Sequence, residues 1–213
     1  ENSSALANLV TLSSPSFSYG KDTEKILSRL SNLCKLKCIF KESWDSSENC
    51  NQFPGLELLT ELESLKIFYL GKALHPGELS FPVNLKKLTL SNFRLPWDRI
   101  SAIGGLEQLE VLNLVSRAFE GSEWEMNEGE FLKLKFLKLD SLNIARWTAS
   151  AEPLPNLEHL ELRNCKDLEE VPFEVADIPN LQKIEVQFCG QSTEESVRKI
   201  EEEGIEGLKI VIH

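Results

Sequence analysis

What this chain lacks removes most functional classes before any motif is considered. No apolar run approaches the roughly 20 residues of a membrane-spanning helix, and no stretch reads as a signal peptide. There is no basic excess: 34 Asp and Glu against 23 Lys and Arg leave a net charge of −11. Duplex binding rests on neutralising phosphates, so no nucleic-acid partner is expected, and the acidic surplus serves solubility. The five cysteines, at 34, 38, 50, 165 and 189, make no paired framework. Cys34 and Cys38 are four residues apart without a second ligand pair, so no metal site is expected either. This cysteine usage favours a reducing, cytoplasmic setting, and the lone acceptor tripeptide Asn2-Ser3-Ser4 carries little weight against it. A phosphate-binding loop is missing as well, since Gly20-Lys21 and Gly71-Lys72 lack both the preceding glycine and the following Ser or Thr. His75, His159 and His213 have no ligand or nucleophile pattern around them. The expectation is a chain without enzyme activity or cofactor.

What is present is one motif, repeated. In LPNLEHLELRNC, Leu154, Leu157, Leu160 and Leu162 fall at the spacing of a leucine-rich repeat, and Cys165 stands where such a motif closes. Indexed by the second apolar position, copies recur at Leu9, Leu33, Leu62, Leu85, Leu109, Leu134, Leu157, Leu181 and Leu208. They are 23 to 29 residues apart, inside the range of this repeat class. In KKLTLS, Leu88 and Leu90 point to one side of a short strand while Lys87, Thr89 and Ser91 point to the other. No single copy buries its leucines alone, so neighbours must stack. The predicted fold is an α/β leucine-rich-repeat solenoid of about nine repeats, with a curved parallel β-sheet on the concave face and short helices and loops on the convex face. Residues 1–191 are assigned to the repeats, and 192–213 to a capping helix and last strand of the same domain. Glu1 to Leu12 enters a repeat with no polar capping segment before it, from which the chain is expected to be cut from a longer protein.

Between the motifs, Thr23 to Leu33 carries Ile26, Leu27 and Leu30 at helical spacing. Lys41 to Gly55 reads as an extended loop in which Trp44 either packs over the strand edge or anchors a partner. Pro96 opens a short helix through Trp97, Ile100 and Ile103, ended by Gly104-Gly105. FEGSEWEMNEGEF, from Phe119 to Phe131, is either a solvated acidic loop or an acidic contact loop centred on Trp124 and Met126. Ile144 and Trp147 are expected to roof the core, as are Leu168, Val171, Val175 and Ile178. Cys165 and Cys189 hold equivalent positions and read as buried ladder residues. Ser192 to Glu203 reads as a helix with Ser192 and Glu195 at capping-box spacing, Val197 and Ile200 inward and Gly204 as its stop.

The outward strand positions form the candidate binding surface. Counting Lys35, Lys37, Ile39, Ser64, Lys66, Phe68, Lys87, Thr89, Ser91, Val111, Asn113, Val115, Phe136, Lys138, Asp140, His159, Glu161, Arg163, Lys183, Glu185 and Gln187, seven are basic and three acidic, in an otherwise acidic chain. Lys35, Lys37, Lys66 and Lys87 fall on successive strands about 4.8 Å apart, within a Debye length of roughly 8 Å. They read either as one positive patch for an acidic partner or as solubilising side chains. Phe68, Val111, Val115 and Phe136 offer an apolar centre of the kind that supplies hot spots. Lys138, His159 and Arg163 complete the candidate set.

These residues resemble the leucine-rich-repeat region of plant intracellular nucleotide-binding immune receptors of the coiled-coil class, the late-blight-resistance-like group. The likeness is carried by FPVNLKKLTLSNFRLPW (Phe81 to Trp97), SRAFEGSEWEMNEGEFLKLKFLKLDSLNIARW (Ser116 to Trp147), LPNLEHLELRNCKDLEEVP (Leu154 to Pro172) and SVRKIEEEGIEGLKIVI (Ser196 to Ile212). The resemblance implies the later part of a repeat domain that restrains a nucleotide-binding module. It also implies a share in recognising a pathogen effector or co-receptor, or in relaying recognition to defence and cell death. The coiled coil, phosphate-binding loop and early repeats of such receptors are not in this chain, so ATP binding is not expected of it. Two other classes use similar repeats. A ubiquitin-ligase substrate receptor needs an adaptor-binding domain upstream, and an extracellular receptor or inhibitor needs paired cysteines, several glycosylation sites and a leader.

Overall fold

Alternating leucines of equal spacing build one parallel sheet. The computed structural model describes residues 6, 8–18, 21–42, 55–71, 80–148 and 154–213. Trp44, Cys50, His75, the Asn2-Ser3-Ser4 tripeptide and the interior of the expected loop between Lys41 and Gly55 lie outside them. In chain order the strands are β1 Thr11–Ser18, β2 Lys35–Lys41, β3 Ser64–Leu70, β4 Lys87–Ser91, β5 Leu95–Pro96, β6 Val111–Val115, β7 Phe119–Glu120, β8 Glu123–Glu125, β9 Phe136–Asp140, β10 Arg146–Thr148, β11 His159–Arg163, β12 Lys183–Gln187 and β13 Lys209–Ile212. Nine of them form one sheet in the order β1-β2-β3-β4-β6-β9-β11-β12-β13, and β5-β7 and β8-β10 make two-stranded parallel pairs outside it. Eight of the nine sheet strands start two residues after an index leucine, and β13 starts one residue after Leu208. Register follows from that constancy. Leu65, Leu88, Leu112, Leu137, Leu160 and Ile184 stand beside one another across the sheet, and each is at most 1% exposed.

The chain leaves β4, β6, β9, β11 and β12 by the same device. Asn92, Ser116, Ser141, Asn164 and Phe188 each follow a strand directly, with φ between 47° and 63°. Left-handed backbone disfavours most side chains and is tolerated best by short polar ones such as Asn. The N–H groups of the first four donate to carbonyls of the next repeat, those of Ser116, Asp140, Arg163 and Gln187 respectively, at 2.8 to 2.9 Å. A second ladder precedes the index leucines: the Asn84, Asn156 and Asn180 side chains donate to the Thr60, Leu132 and Pro155 carbonyls of the preceding repeat. These bonds satisfy backbone groups that a repeat cannot satisfy alone.

Behind the sheet, aromatic side chains at equivalent repeat positions stack. The Trp97 and Trp124 rings are 4.9 Å apart and 12° from parallel, and Trp124 and Trp147 are 5.3 Å apart at 7°. Trp97 also lies 4.9 Å from Phe119 and donates through Nε1 to the Gly121 carbonyl. This column overturns the contact-loop reading of Phe119 to Phe131, because Trp124 is 1% and Met126 4% exposed. Their side chains face inward from β8, leaving Glu123 and Glu125 to solvent. Ile144, Trp147, Leu168, Val171, Val175 and Ile178 are buried. Pro96 opens a 3-10 turn, Trp97–Arg99, followed by α-helix α1 at Ser101–Gly104 with Gly105 as its C-cap.

Two helix assignments change. The first helix runs from Lys21 to Leu27, and Ile26 is 42% exposed while Leu27 and Leu30 are buried. The helix ends at Leu27, so Leu30 is buried from the segment that follows it and not from the same helical face. The last helix, α2, spans Gln191–Glu202 with Gly190 as N-cap and no side-chain cap bond, so the Ser192/Glu195 capping box does not form. Close packing against the preceding repeat sets that start: a Cβ on Gly190 would lie 2.8 Å from the Lys166 carbonyl oxygen. Thr193 then donates to the Leu168 carbonyl, and Gln191 donates to Glu195. Val197 and Ile200 point inward, and Gly204 follows at φ 67°.

Candidate protein-interaction face

Side chains of opposite parity to the leucines line the open face in rows fixed by the register. The first row reads Thr11, Lys35, Ser64, Lys87, Val111, Phe136, His159, Lys183, Lys209. In the second, Ser13, Lys37, Lys66, Thr89, Asn113, Lys138, Glu161, Glu185 and Val211 stand in line. The third holds Ser16, Ile39, Phe68, Ser91, Val115, Asp140, Arg163 and Gln187, after a register shift in β1. Lys37 and Lys66 are therefore direct cross-strand neighbours, whereas Lys35 and Lys87 stand either side of Ser64. The expected apolar centre divides in two. Val111 and Phe136 are neighbours in the first row and continue into His159, whose ring meets Phe136 edge-on at 4.8 Å. Phe68 belongs to the third row beside Ile39, separated from Val115 by Ser91, which at 8% exposure is covered rather than open.

Sequence reasoning stopped one position short on β2 and β3. Both strands are seven residues long, so the alternation adds a fourth outward pair, Lys41 beside Leu70. Leu70 is 43% and Phe68 39% exposed, and the continued alternation in KLKCIFK and SLKIFYL carried that signal. Lys35, Lys37, Lys66 and Lys87 are exposed, and none of them forms an ion pair among the described residues.

At the other end of the sheet the charges engage one another. Lys138 meets Glu161 at 2.7 Å and Asp140 at 3.6 Å, with all three side chains at most 21% exposed. Glu185 gathers Lys183, His159 at 3.8 Å and His213 at 3.7 Å. The Lys183 hydrogen bond holds the Glu185 carboxyl below its usual range, while burial and then Lys183 push His159 down. Lys138 is thus committed within the sheet, His159 is half-buried, and Arg163 is exposed. Among the described residues no group of His, Cys, Asp or Glu is arranged to hold a metal, and no helix is long and apolar enough to cross a membrane.

One parallel strand per repeat, buried leucines in register across the sheet and an outward face of mixed chemistry define a leucine-rich-repeat protein. Within that class the sequence groups with the late blight resistance proteins. The chain is 39% identical over 210 residues to late blight resistance protein homologue R1B-13, and 40% over 210 residues to homologue R1B-8, both of Solanum demissum. It is 38% identical over 208 residues to late blight resistance protein R1-A of the same species. Each match takes in 97% of this chain but only 16 to 18% of the relative, so the chain spans about a sixth of the length of these proteins. No family model matches. Among solved structures, a leucine-rich-repeat protein of Leptospira interrogans aligns with 87% of this chain and 50% of its own, at 19% identity and a TM-score of 0.41.

Proposed function

We propose that this chain is the non-catalytic protein-interaction surface of a cytoplasmic plant resistance receptor, and that it works through the lysine-rich end of its open face. The observation that carries the reading is the set Lys35, Lys37, Lys66 and Lys87, exposed and without ion pairs among the described residues, beside the exposed apolar side chains Phe68 and Leu70. Like charges held one strand apart are mildly unfavourable for folding, and an acidic partner relieves them. The resting partner is an acidic surface on the nucleotide-binding module of the parent receptor. A pathogen effector or co-receptor that competes for the same face shifts the receptor toward its signalling state, to the extent that it binds the two states with different affinity. Residues 1–191 carry this surface, and 192–213 close the solenoid.

The register selects the test. Lys37→Glu with Lys66→Glu reverses two neighbouring charges on exposed positions. Introduced into the repeat region, this variant is expected to weaken its co-purification with a separately expressed nucleotide-binding module, and to lower the salt dependence of the remaining binding. Unchanged binding and salt dependence in a normally folded variant would sink the proposal.

A further inference from the structure

The cysteines of adjacent repeats are nucleophiles that the interaction face does not use. Cys165 and Cys189 each stand two residues beyond the register pair Arg163 and Gln187, in the same turn of consecutive repeats. The Cys165 thiol donates to the Leu139 carbonyl at 3.5 Å and to that of Arg163 at 3.4 Å, and the Cys189 thiol donates to the Gln187 carbonyl at 3.7 Å. Parallel neighbours about 4.8 Å apart fall inside the roughly 4.4–6.8 Å Cα separation that a disulfide spans. The surrounding contacts keep the turns together: Gly190 packs against the Lys166 carbonyl, and Thr193 bonds to that of Leu168. Access is asymmetric, since Cys165 is fully buried and Cys189 keeps part of its surface open where the chain turns into α2. Cys165 is thus the buried ladder residue expected, whereas the same reading is corrected for Cys189.

We propose that Cys189 is a peroxide-reactive thiol and Cys165 its resolving partner, so that oxidation ties the seventh and eighth repeats together by a disulfide. The Cys189 thiolate attacks hydrogen peroxide. An S–O bond forms, the O–O bond breaks, and the departing hydroxide takes up a proton to leave as water. Cys189 is then a sulfenic acid. The Cys165 sulfur attacks it, the S–S bond forms and the S–O bond breaks, and the second hydroxide leaves as water with the Cys165 proton. Two thiols are oxidised to one disulfide, and one peroxide is reduced to two waters. Interaction between the two thiols is consistent with the division of roles, since it raises Cys165 and lowers Cys189 to about 7. Cys38, buried within β2, is pushed up to about 12 by that burial and serves as an internal control.

The test is stepwise addition of hydrogen peroxide to the chain, followed by alkylation and peptide mapping without reductant. The expected product is a peptide joining positions 165 and 189, lighter by two hydrogens than its parts and separated again by dithiothreitol, with Cys38 still reduced. Cys189→Ser, a substitution at a partly open position, is expected to abolish the cross-link and leave Cys165 reduced. It is also expected to abolish the rise in melting temperature that oxidation gives the unsubstituted chain. Oxidation of the half-exposed Cys34 ahead of both, or conversion of Cys189 to sulfinic acid while Cys165 stays reduced, would overturn the proposal.

Discussion

The two ends of the open sheet hold similar numbers of charged side chains and use them differently. On β2 to β4, Lys35, Lys37, Lys66 and Lys87 reach into solvent without ion pairs among the described residues. On β9 to β12, Lys138 and Lys183 are each drawn onto carboxylates of their own sheet, and their partners are mostly buried with them. For Lys183 the cause is Glu185, two residues along the same strand, and for Lys138 it includes the residue one strand away. Lys138 faces Glu161, and Glu161 faces Glu185, whereas Lys37 faces Lys66, and Lys66 faces Thr89. One end therefore spends its charge on holding neighbouring strands together, and the other keeps it available. Both ends lie on the same parallel ladder, so strand pairing alone does not distinguish them.

That contrast breaks if the two ends differ in their core, so the largest expected effect is also the control. Leu88→Ala beneath the lysines and Leu160→Ala beneath the paired charges each empty a site that is 0% exposed. Each should cost about 2–5 kcal/mol, and chemical denaturation should give similar losses. A much smaller loss at Leu88 would mean that the lysine-rich end is poorly packed, with its exposed charge a by-product.

Removing single charges sharpens the comparison further. Lys138→Ala leaves Glu161 and Asp140, 21% and 15% exposed, without their cation. The expected cost is about 1–3 kcal/mol, between the limits for exposed and fully buried pairs. Lys66→Ala removes an exposed side chain with no such partner and should change stability by less than about 0.5 kcal/mol. Equal costs in denaturant titrations would show that the two ends are not energetically distinct.

Much of this was readable from the order of residues, for a definite reason. A repeat of nearly constant length fixes register without side-chain detail, so the nine index leucines located the strands, and parity located Lys37, Lys66 and Phe68 on the open face. What escaped depended on contacts between residues distant in sequence. Trp124 sits among five glutamates and reads as a loop residue, yet it is a rung between Trp97 and Trp147, 27 and 23 residues away. The apolar centre was read from proximity along the strands, and only the rows separate Phe68 from Phe136. Lys138 counted as a free cation until its cross-strand neighbour was identified, because pairing depends on where two side chains extend. The spacing of Ile26, Leu27 and Leu30 misled for a local reason: the helix ends at Leu27, so Leu30 does not lie on it.

The smallest effect expected is the pH response, and its histidine stage should appear at one end only. Burial, then Lys183, holds His159 below its ordinary 6.5, so the folded protein binds less proton there than the unfolded chain. As pH falls through 6.5 the unfolded chain takes up that proton first, and stability declines. Glu185, held below 4.5 chiefly by the Lys183 hydrogen bond, contributes stability that is present above 4.5 and lost as pH falls through its lowered value. The melting temperature should therefore fall in two stages on acidification from neutrality. His159→Gln should flatten the first stage and leave the second, whereas Lys37→Gln, five strands away in the sheet order, should leave both. If Lys37→Gln altered the profile as much as His159→Gln, the charges of the two ends would be coupled through the sheet, and the separation between a self-paired end and an available one would fail.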